Sequence, residues 1–535
     1  MEHTSRTKTV YINSIVTMLS QVLQVILGFV IRKLFLTYIG VEYLGYNSVF
    51  LNILQLLNLA DLGIGVAITS FLYKPLATCN KKDISALMYI YRRIYSIIGI
   101  FVLFIGLAVI PFLPILVPDA KCSFPYLVLI YLINLAGTVS TYFLAYKRTL
   151  IIADQKSYIA TDTILFFIAA TLQLVGMKFY PSYVVYILIN LMRNIISNVV
   201  LSLKADHIYG RLYSNIDKKC VAEYQPQIFI YIKDVFISRI GAVIYYSTDN
   251  IILSALKGSL LTGYLSNYTL ITTQLNTVVV QILSSLQATF GNYISTNEDL
   301  NEQRKMTDNY FCANYIIGNF CFICFSLLVQ PFIKLFFGES MLLDFSTALW
   351  LGINLMFTFL IQLPSQVFTI YKLFRYDRFI IIISATLNIL ISILLGKKIG
   401  INGVLIGTFV TSLIYLFSRF FVISKYVYKI SYLHYIKKLL FYGISSALSF
   451  MTSFLVLKNL GRIMEYGIVG FGLKAILVAN FSILSTTSLL CTTREMNFLI
   501  GKIARNKPSV VKIKLIVVCS TVIMIALSII FGGGE

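Results

Sequence analysis

The amino-acid sequence predicts an all-α polytopic membrane protein of about fourteen spanning helices, each needing about twenty apolar residues to cross hydrocarbon. Three observations carry that prediction. Hydrophobic residue types make up 58% of the 535 positions and charged types 12%, with a mean hydropathy of +0.83. Soluble domains hold about 25% charged residues, so this chain cannot cover a water-facing surface. Long uncharged stretches recur along it, and Lys and Arg concentrate in alternate connections between them, as the positive-inside rule requires.

In the first half these stretches lie at 11–31, 46–73, 94–117, 125–146, 159–176 and 181–203. The second half adds 234–256, 260–290, 311–336, 345–371, 379–396 and 401–421, followed by 439–457 and 466–490. A further apolar stretch, 515–531, reads either as a fifteenth helix or as an interfacial tail. With only 10 Pro and short links, the chain reads as one integral membrane body rather than an anchor carrying a soluble enzyme. The Lys and Arg bias places the N-terminus in the cytoplasm. Basic inward connections such as Lys81-Lys82 and Lys437-Lys438 absorb much of the formal charge of +22, so no nucleic-acid partner is expected. The first apolar segment has no small-residue cleavage site and reads as an uncleaved span.

Catalytic signatures do not emerge. The chain has no GxxxxGK[ST] phosphate loop, no GxSxG elbow and no HExxH helix, which favours a transporter over an enzyme. Cys321 and Cys324 form a CxxC inside a predicted span without a second pair, and read as small apolar fillers. His3, His207 and His434 lie far apart, so neither a metal site nor a resident cofactor is expected. The sequon at Asn267 falls within a predicted span. The 36 Tyr and 39 Phe are assigned mostly to the lipid-facing surface and interfacial belts.

A weak internal repeat organises the chain. Gly45-Tyr46 precedes the second polar, helix-length run, and Gly263-Tyr264 opens the eighth, 218 residues later. Each follows a span and precedes an inward loop. This suggests two parallel six-helix lobes: residues 1–230 with the inward linker 204–233, then 231–430, with 431–535 supplying additional helices and the hydrophobic tail.

Ionisable groups inside a bilayer cost roughly 2.5–3.5 kcal/mol on insertion scales and normally face protein or water. Arg193 sits deep in span six, and Asn190, Arg193, Asn194 and Ser197 share one helical face. Span one carries Asn13, Thr17, Gln21 and Gln24 on one face; span eight carries Thr262, Ser266, Thr269, Thr273 and Asn276. Span seven holds Arg239 and Asp249, and span two holds Asp61 beside Asn58. The expected cavity therefore draws on Arg193, Arg239, Asn190, Asn194, Gln21, Gln24 and Asn276. Arginine there favours an anionic ligand, because a guanidinium grips phosphate bidentately. Asp61 and Asp249 are the candidates for coupling to H+ or Na+. Two plainer roles compete: an Asp–Arg pair such as Asp61 with Arg193 can simply lock helices, and small polar stripes also pack helices without any ligand. Arg32 and Lys33 read equally as interfacial anchors or as residues of the cavity mouth, and Lys474 can snorkel outward. Pro364 in span ten should kink its helix and free a carbonyl.

Several stretches resemble the polysaccharide flippase family of the multidrug/oligosaccharidyl-lipid/polysaccharide superfamily. They are residues 38–77, with Tyr38-Ile-Gly-Val-Glu-Tyr-Leu-Gly-Tyr-Asn47 and Asn58-Leu-Ala-Asp-Leu-Gly-Ile-Gly-Val-Ala-Ile68, then Ile152-Ala-Asp-Gln-Lys-Ser-Tyr158, Ser247-Thr-Asp-Asn-Ile-Ile252 and Tyr264-Leu-Ser-Asn-Tyr-Thr-Leu-Ile271. The resemblance implies two six-helix lobes opening alternately, plus two further helices. It also implies movement of an undecaprenyl-diphosphate-linked oligosaccharide across a bacterial cytoplasmic membrane, among membrane lipids and alongside polysaccharide polymerase machinery. Cationic cavity residues would hold the diphosphate, with Arg193 and Arg239 the best positional matches. A cation-coupled drug antiporter of the same architecture, a lipid-linked peptidoglycan-precursor flippase, and a polytopic polymerase or glycosyltransferase are the alternatives.

Overall fold

The computed structural model describes residues 20–21, 23–58, 64–78, 80–153, 159–210, 216–371, 373–460, 467–503 and 507–532. All regular structure among them is helical. In lipid the backbone must satisfy its own hydrogen bonds, which a helix does within one segment. Helix α1 covers residues 23–38. It is followed by α2 (Val41–Leu57), α3 (Ile64–Ala77), α4 (Lys81–Val109), α5 (Leu113–Leu116), α6 (Phe124–Leu144), α7 (Arg148–Ala153), α8 (Ile159–Phe179), α9 (Tyr183–Tyr209) and α10 (Lys218–Lys257). Then come α11 (Ser259–Thr296), α12 (Leu300–Phe337), α13 (Phe345–Ile370), α14 (Phe374–Ile399), α15 (Ile401–Val422), α16 (Leu433–Leu460), α17 (Ile468–Leu490), α18 (Arg494–Ile503) and α19 (Lys507–Gly532).

Polar residues start the long helices where the chain leaves the apolar layer. Asn80 caps α4 by accepting from the Lys82 and Asp83 amides, while its own amide donates to the Asp83 carboxylate at 2.8 Å, a reciprocal capping arrangement. Asp217 and Asp299 cap α10 and α12 in the same way, at 2.9 and 2.8 Å. Ten helical segments among the described residues are long and apolar enough to cross a bilayer. They correspond one to one with the predicted stretches from 94–117 to 181–203 and from 311–336 to 466–490. The stretch predicted as one run at 46–73 differs: α2 ends at Leu57 and a separate helix, α3, begins at Ile64. Residues 59–63, with Asp61 among them, lie outside the described residues. The apolar tail is helix α19, whose 26 residues reach about 39 Å at 1.5 Å per residue. It packs on α16 and α17, and Thr521 meets Ser488 at 2.7 Å. Helix α13 runs through Pro364, where the Ser365 hydroxyl donates to the Ile361 carbonyl at 2.7 Å.

The chain divides into two compact units, Met1–Gly263 and Tyr264–Glu535. Helix α10 crosses residue 230 without a break. Each unit has its own apolar core: one around Phe50, Ile68, Leu87, Tyr91 and Tyr131, the other around Phe311, Tyr315, Ile323, Phe420 and Tyr435. Outward faces carry bare apolar side chains such as Phe104, Phe179, Leu394 and Ile476, as a lipid-facing surface requires. The aromatic side chains depart from the sequence-based expectation. Many of the tyrosines are core residues rather than belt residues, and Tyr46, Tyr91, Tyr131, Tyr183, Tyr268, Tyr315 and Tyr435 are almost wholly buried. Burial is tolerable because most of their hydroxyls find partners. Tyr131 donates to the Gly106 carbonyl at 3.0 Å, and Tyr183 to the Asn47 side chain at 3.0 Å.

The two Gly-Tyr positions acquire a physical meaning. In unit one, α2 and the first turn of α11 cross backbone to backbone. A methyl group at Gly45 would run into the Ser259 carbonyl, and one at Gly263 into that of Val41. Only glycine allows so close an approach, the small-residue rule of membrane helix crossings. Tyr46, next to Gly45, and Tyr268, five residues after Gly263 rather than the Tyr264 of the repeat, each hold a loop of their own unit. The Tyr46 hydroxyl accepts from the Lys121 amide at 3.1 Å, in the loop after α5. The Tyr268 hydroxyl accepts from the Leu343 amide at 3.0 Å, in the loop after α12.

Candidate functional site

The site is a cavity of about 440 Å³ within unit one, inside the 300–1,000 Å³ range of small-molecule pockets. Helix α9 brings Arg193, Asn194, Ser197 and Asn198 to it; α8 brings Asp162, Leu165 and Phe166; α1, α6 and α7 contribute Gln24, Thr141 and Arg148. The spacing on α9 is helical, so residues three and four apart stand one above another on a single face.

Arg193 lies ten residues into α9, about 15 Å from its start. It is half-buried. Its guanidinium donates to the Asn194 side-chain oxygen at 3.2 Å and lies 5.8 Å from the Phe166 ring centre. Asp162 is within electrostatic reach of it, but among the described residues no carboxylate pairs with it. Arg148 is placed differently. Its guanidinium donates to one oxygen of Asp162 at 2.6 Å, and the Ser197 hydroxyl donates to the other at 2.5 Å. Beside the cavity, Lys147 and Asp206 pair at 2.5 Å. Among the described lining residues, two arginines stand with one carboxylate. A half-desolvated cation held only by an amide and a ring face attracts an anion strongly, because a guanidinium–carboxylate or guanidinium–phosphate contact is charge-assisted.

Of the residues expected from sequence, Gln24, Arg193 and Asn194 come together here. Gln21 is half-buried one turn before Gln24, and Asn190 sits one turn before Asn194, in reach of the Tyr186 hydroxyl; neither lines the cavity. Arg32, half-buried on α1, is also in electrostatic reach of Tyr186, whereas Lys33 is exposed. Asn276 belongs to unit two, where its buried side-chain oxygen has no hydrogen-bond partner among the described residues. Asp249 is half-buried on α10 and does not line this cavity. Asp61 and the Arg239 side chain lie outside the described residues, and so does any Asp61–Arg193 pairing.

Arg148 and Asp162 were missed. Arg148 falls between the stretches 125–146 and 159–176, and Asp162 falls inside the second of them. The rule that an acid within a span marks a site was signal enough to find it.

At the opposite end of α4, a second polar cluster shapes unit one. Asp119 accepts from the Ser259 and Leu260 amides at 2.7 and 3.1 Å, closing the start of α11. Burial pushes its carboxyl up, but the bonds from Ser259 and Leu260 outweigh that and hold its pKa below the ordinary 3.8. Lys121 in the same loop pairs with Glu42 of α2, and that partner raises its pKa.

Comparison with solved structures places the fold. The chain resembles the lipid II flippase MurJ in an inward closed conformation, with 16% identity over 89% of this chain and 98% of the other and a TM-score of 0.66. An inward-facing multidrug-resistance MATE family transporter of the same superfamily shares 14% identity over 75% and 95% of the two chains, with a TM-score of 0.59. A Vibrio cholerae MATE transporter, VcmN, shares 14% over 78% and 96%, with a TM-score of 0.51. No curated protein matches the sequence. The sequence profile described as "Polysaccharide biosynthesis protein" matches residues 10–291, more than half of the chain. The protein therefore belongs to the polysaccharide biosynthesis protein family.

Proposed function

We propose that the protein is a flippase that moves undecaprenyl-diphosphate-linked oligosaccharide repeat units from the inner to the outer leaflet of a bacterial cytoplasmic membrane. It would work by alternating access, with the N-terminus in the cytoplasm, and hand its cargo to polysaccharide polymerase machinery. The observation that carries this reading is Arg193, a half-buried guanidinium on a cavity wall with a neutral hydrogen-bond partner and no paired carboxylate among the described residues. Its charge suits an anionic headgroup, and the neighbouring amides and hydroxyls of Gln24, Asn194, Asn198 and Thr141 suit sugar. The family of polysaccharide biosynthesis proteins supports the same cargo. The isoprenoid tail stays in lipid, so the protein has only the polar headgroup to shelter from hydrocarbon. An inward H+ or Na+ gradient acting on Asp249, or downstream consumption of the product, supplies the direction.

The test is translocation of a fluorescent polyprenyl-diphospho-oligosaccharide in proteoliposomes. Charge-assisted hydrogen bonds contribute about 1.5–3 kcal/mol, so Arg193→Ala should slow translocation by roughly ten- to a hundredfold while the purified protein stays monodisperse. Asp249→Ala should weaken the dependence on an imposed ion gradient. Transport of a cationic dye together with failure of acidic and neutral repeat units would replace this reading with that of a drug antiporter.

A further inference from the structure

Arg148 on the cavity wall holds an anion, the carboxylate of Asp162. One carboxylate oxygen accepts from Arg148 at 2.6 Å, and the other accepts from the Ser197 hydroxyl at 2.5 Å. The side chains of the ion pair are 33% and 27% exposed. Neither is sealed in the core, so a soluble headgroup can reach them. The other charged wall residue, Arg193, feels Asp162 but does not pair with it. Nearby, Lys147 and Asp206 pair with each other, and among the described residues α1 and α6 present Gln24 and Thr141 to the cavity.

We propose that Asp162 is a displaceable counter-anion: it occupies Arg148 while the cavity is empty, yields that arginine to a phosphate of the cargo, and takes up one proton as it does so. The inference rests on the flippase reading and adds Arg148 as a second phosphate-binding residue. The reasoning is charge matching. A diphosphate diester carries two negative charges, and the described lining residues offer it both guanidinium groups only when Asp162 is neutral. A carboxylate that loses Arg148 and then faces a phosphate is held in its charged form at high cost, so it binds a proton from cavity water. The proton adds to the oxygen that Arg148 released, and Ser197 keeps the other. Cargo binding and proton uptake are thereby one linked event, with affinity rising as pH falls.

The experiment uses the full-length protein in lipid nanodiscs and a fluorescent short-chain polyprenyl-diphospho-sugar, whose charge is fixed across the buffers used. A polyprenol-linked sugar without phosphate is the control. Wild type should bind the diphosphate probe more tightly from mildly alkaline to mildly acidic buffer, approaching roughly tenfold per pH unit where one proton is taken up. Asp162→Asn should bind at least as tightly as wild type at neutral pH and lose the pH slope. Arg148→Gln should weaken binding about tenfold. Ser197→Ala keeps the charge but frees one of the two bonds that hold Asp162, and should tighten binding about threefold with the slope intact. That variant decides the matter if Asp162→Asn does not fold. A folded Asp162→Asn that keeps the slope, or weakens binding as far as Arg148→Gln does, overturns the counter-anion role and leaves the flippase reading standing. So does a Ser197→Ala variant with weakened binding. Equal binding of the diphosphate probe and its neutral control by wild type overturns both.

Discussion

Ser197 of unit one and Ser449 of unit two are both buried hydroxyls within long apolar helices, yet their surroundings differ. Ser197 donates to the Asp162 carboxylate on a cavity wall. Ser449 meets Ser485 at 2.5 Å and Thr486 at 3.1 Å, and Thr486 in turn accepts from the Asn319 side chain at 2.9 Å. The second arrangement is a seam of short side chains through which α12, α16 and α17 pack. The two stripes look alike as sequence, but the company they keep separates them. Where long charged side chains join the stripe, their desolvation cost holds space open for water or a ligand. Where only small hydroxyls and amides occur, helices close upon them and the groups satisfy one another. Charged residues in unit two cluster instead at helix ends, where Lys438 of α16 lies 2.9 Å from Asp308 of α12 and 2.6 Å from Glu495 of α18.

If charge in unit one serves cargo and charge in unit two serves packing, the largest stability loss should come from that cluster. Lys438 is largely buried, and Asp308 is 7% exposed. Lys438→Met leaves two carboxylates near one another without their shared cation, and should cost about 3 kcal/mol, read as a drop in thermal unfolding of the detergent-solubilised protein. Arg193→Ala measured the same way should move little. Comparable losses in both variants would erase the distinction. Next in size is the backbone crossing in unit one. Gly45→Leu forces a side chain against the Ser259 carbonyl, and overpacking of this kind costs about 1–3 kcal/mol. A well-folded, active Gly45→Leu protein would show that α2 and the start of α11 need not touch as closely as they do here.

How much of this was legible in the sequence follows from the same physics. Hydropathy located the spans because a bilayer imposes length and apolarity on every spanning helix, whatever its neighbours. It merged α2 and α3 because Asn58 and the residues that follow read as apolar enough to continue, and helix ends depend on local caps rather than on bulk hydropathy. Arg193 and Asn194 stood out because a polar stripe around a deep cation is visible at helical spacing. Arg148 was invisible because its role depends on Asp162, and their pairing joins α7 to α8, fourteen residues apart, which periodicity cannot see. The buried tyrosines were misassigned for a related reason: a phenol is stable at a membrane interface or in a core, and only the partner of its hydroxyl distinguishes the two. Gly45 and Gly263 were found as a repeat, but nothing in spacing alone says that Gly45 meets Ser259.

A smaller effect probes the seam in unit two. Ser449→Ala removes one hydroxyl, but Ser485 and Thr486 still donate to the Ser482 carbonyl at 3.2 and 2.7 Å. Side-chain hydrogen bonds between membrane helices average about 0.6 kcal/mol, so the thermal shift should be of that order, with transport unchanged. A strong transport defect in a stable Ser449→Ala protein would move the functional cavity into unit two and break the comparison.

An effect of similar size concerns Asp119, which separates charge at a helix start from charge in a cavity. Its carboxylate accepts the first free amides of α11, and a charge at such an end contributes about 0.3–1 kcal/mol when exposed. Because its folded pKa lies below the ordinary 3.8, the contribution is present above that value and lost as pH falls through the lower, folded one. Asp119→Asn should therefore unfold slightly more easily than wild type at neutral pH, and the two curves should converge in strongly acidic buffer. The gap should also shrink with added salt, since this carboxylate is exposed. A gap that survives both treatments would mean that the Asp119 side chain acts through its shape in the loop rather than through its charge.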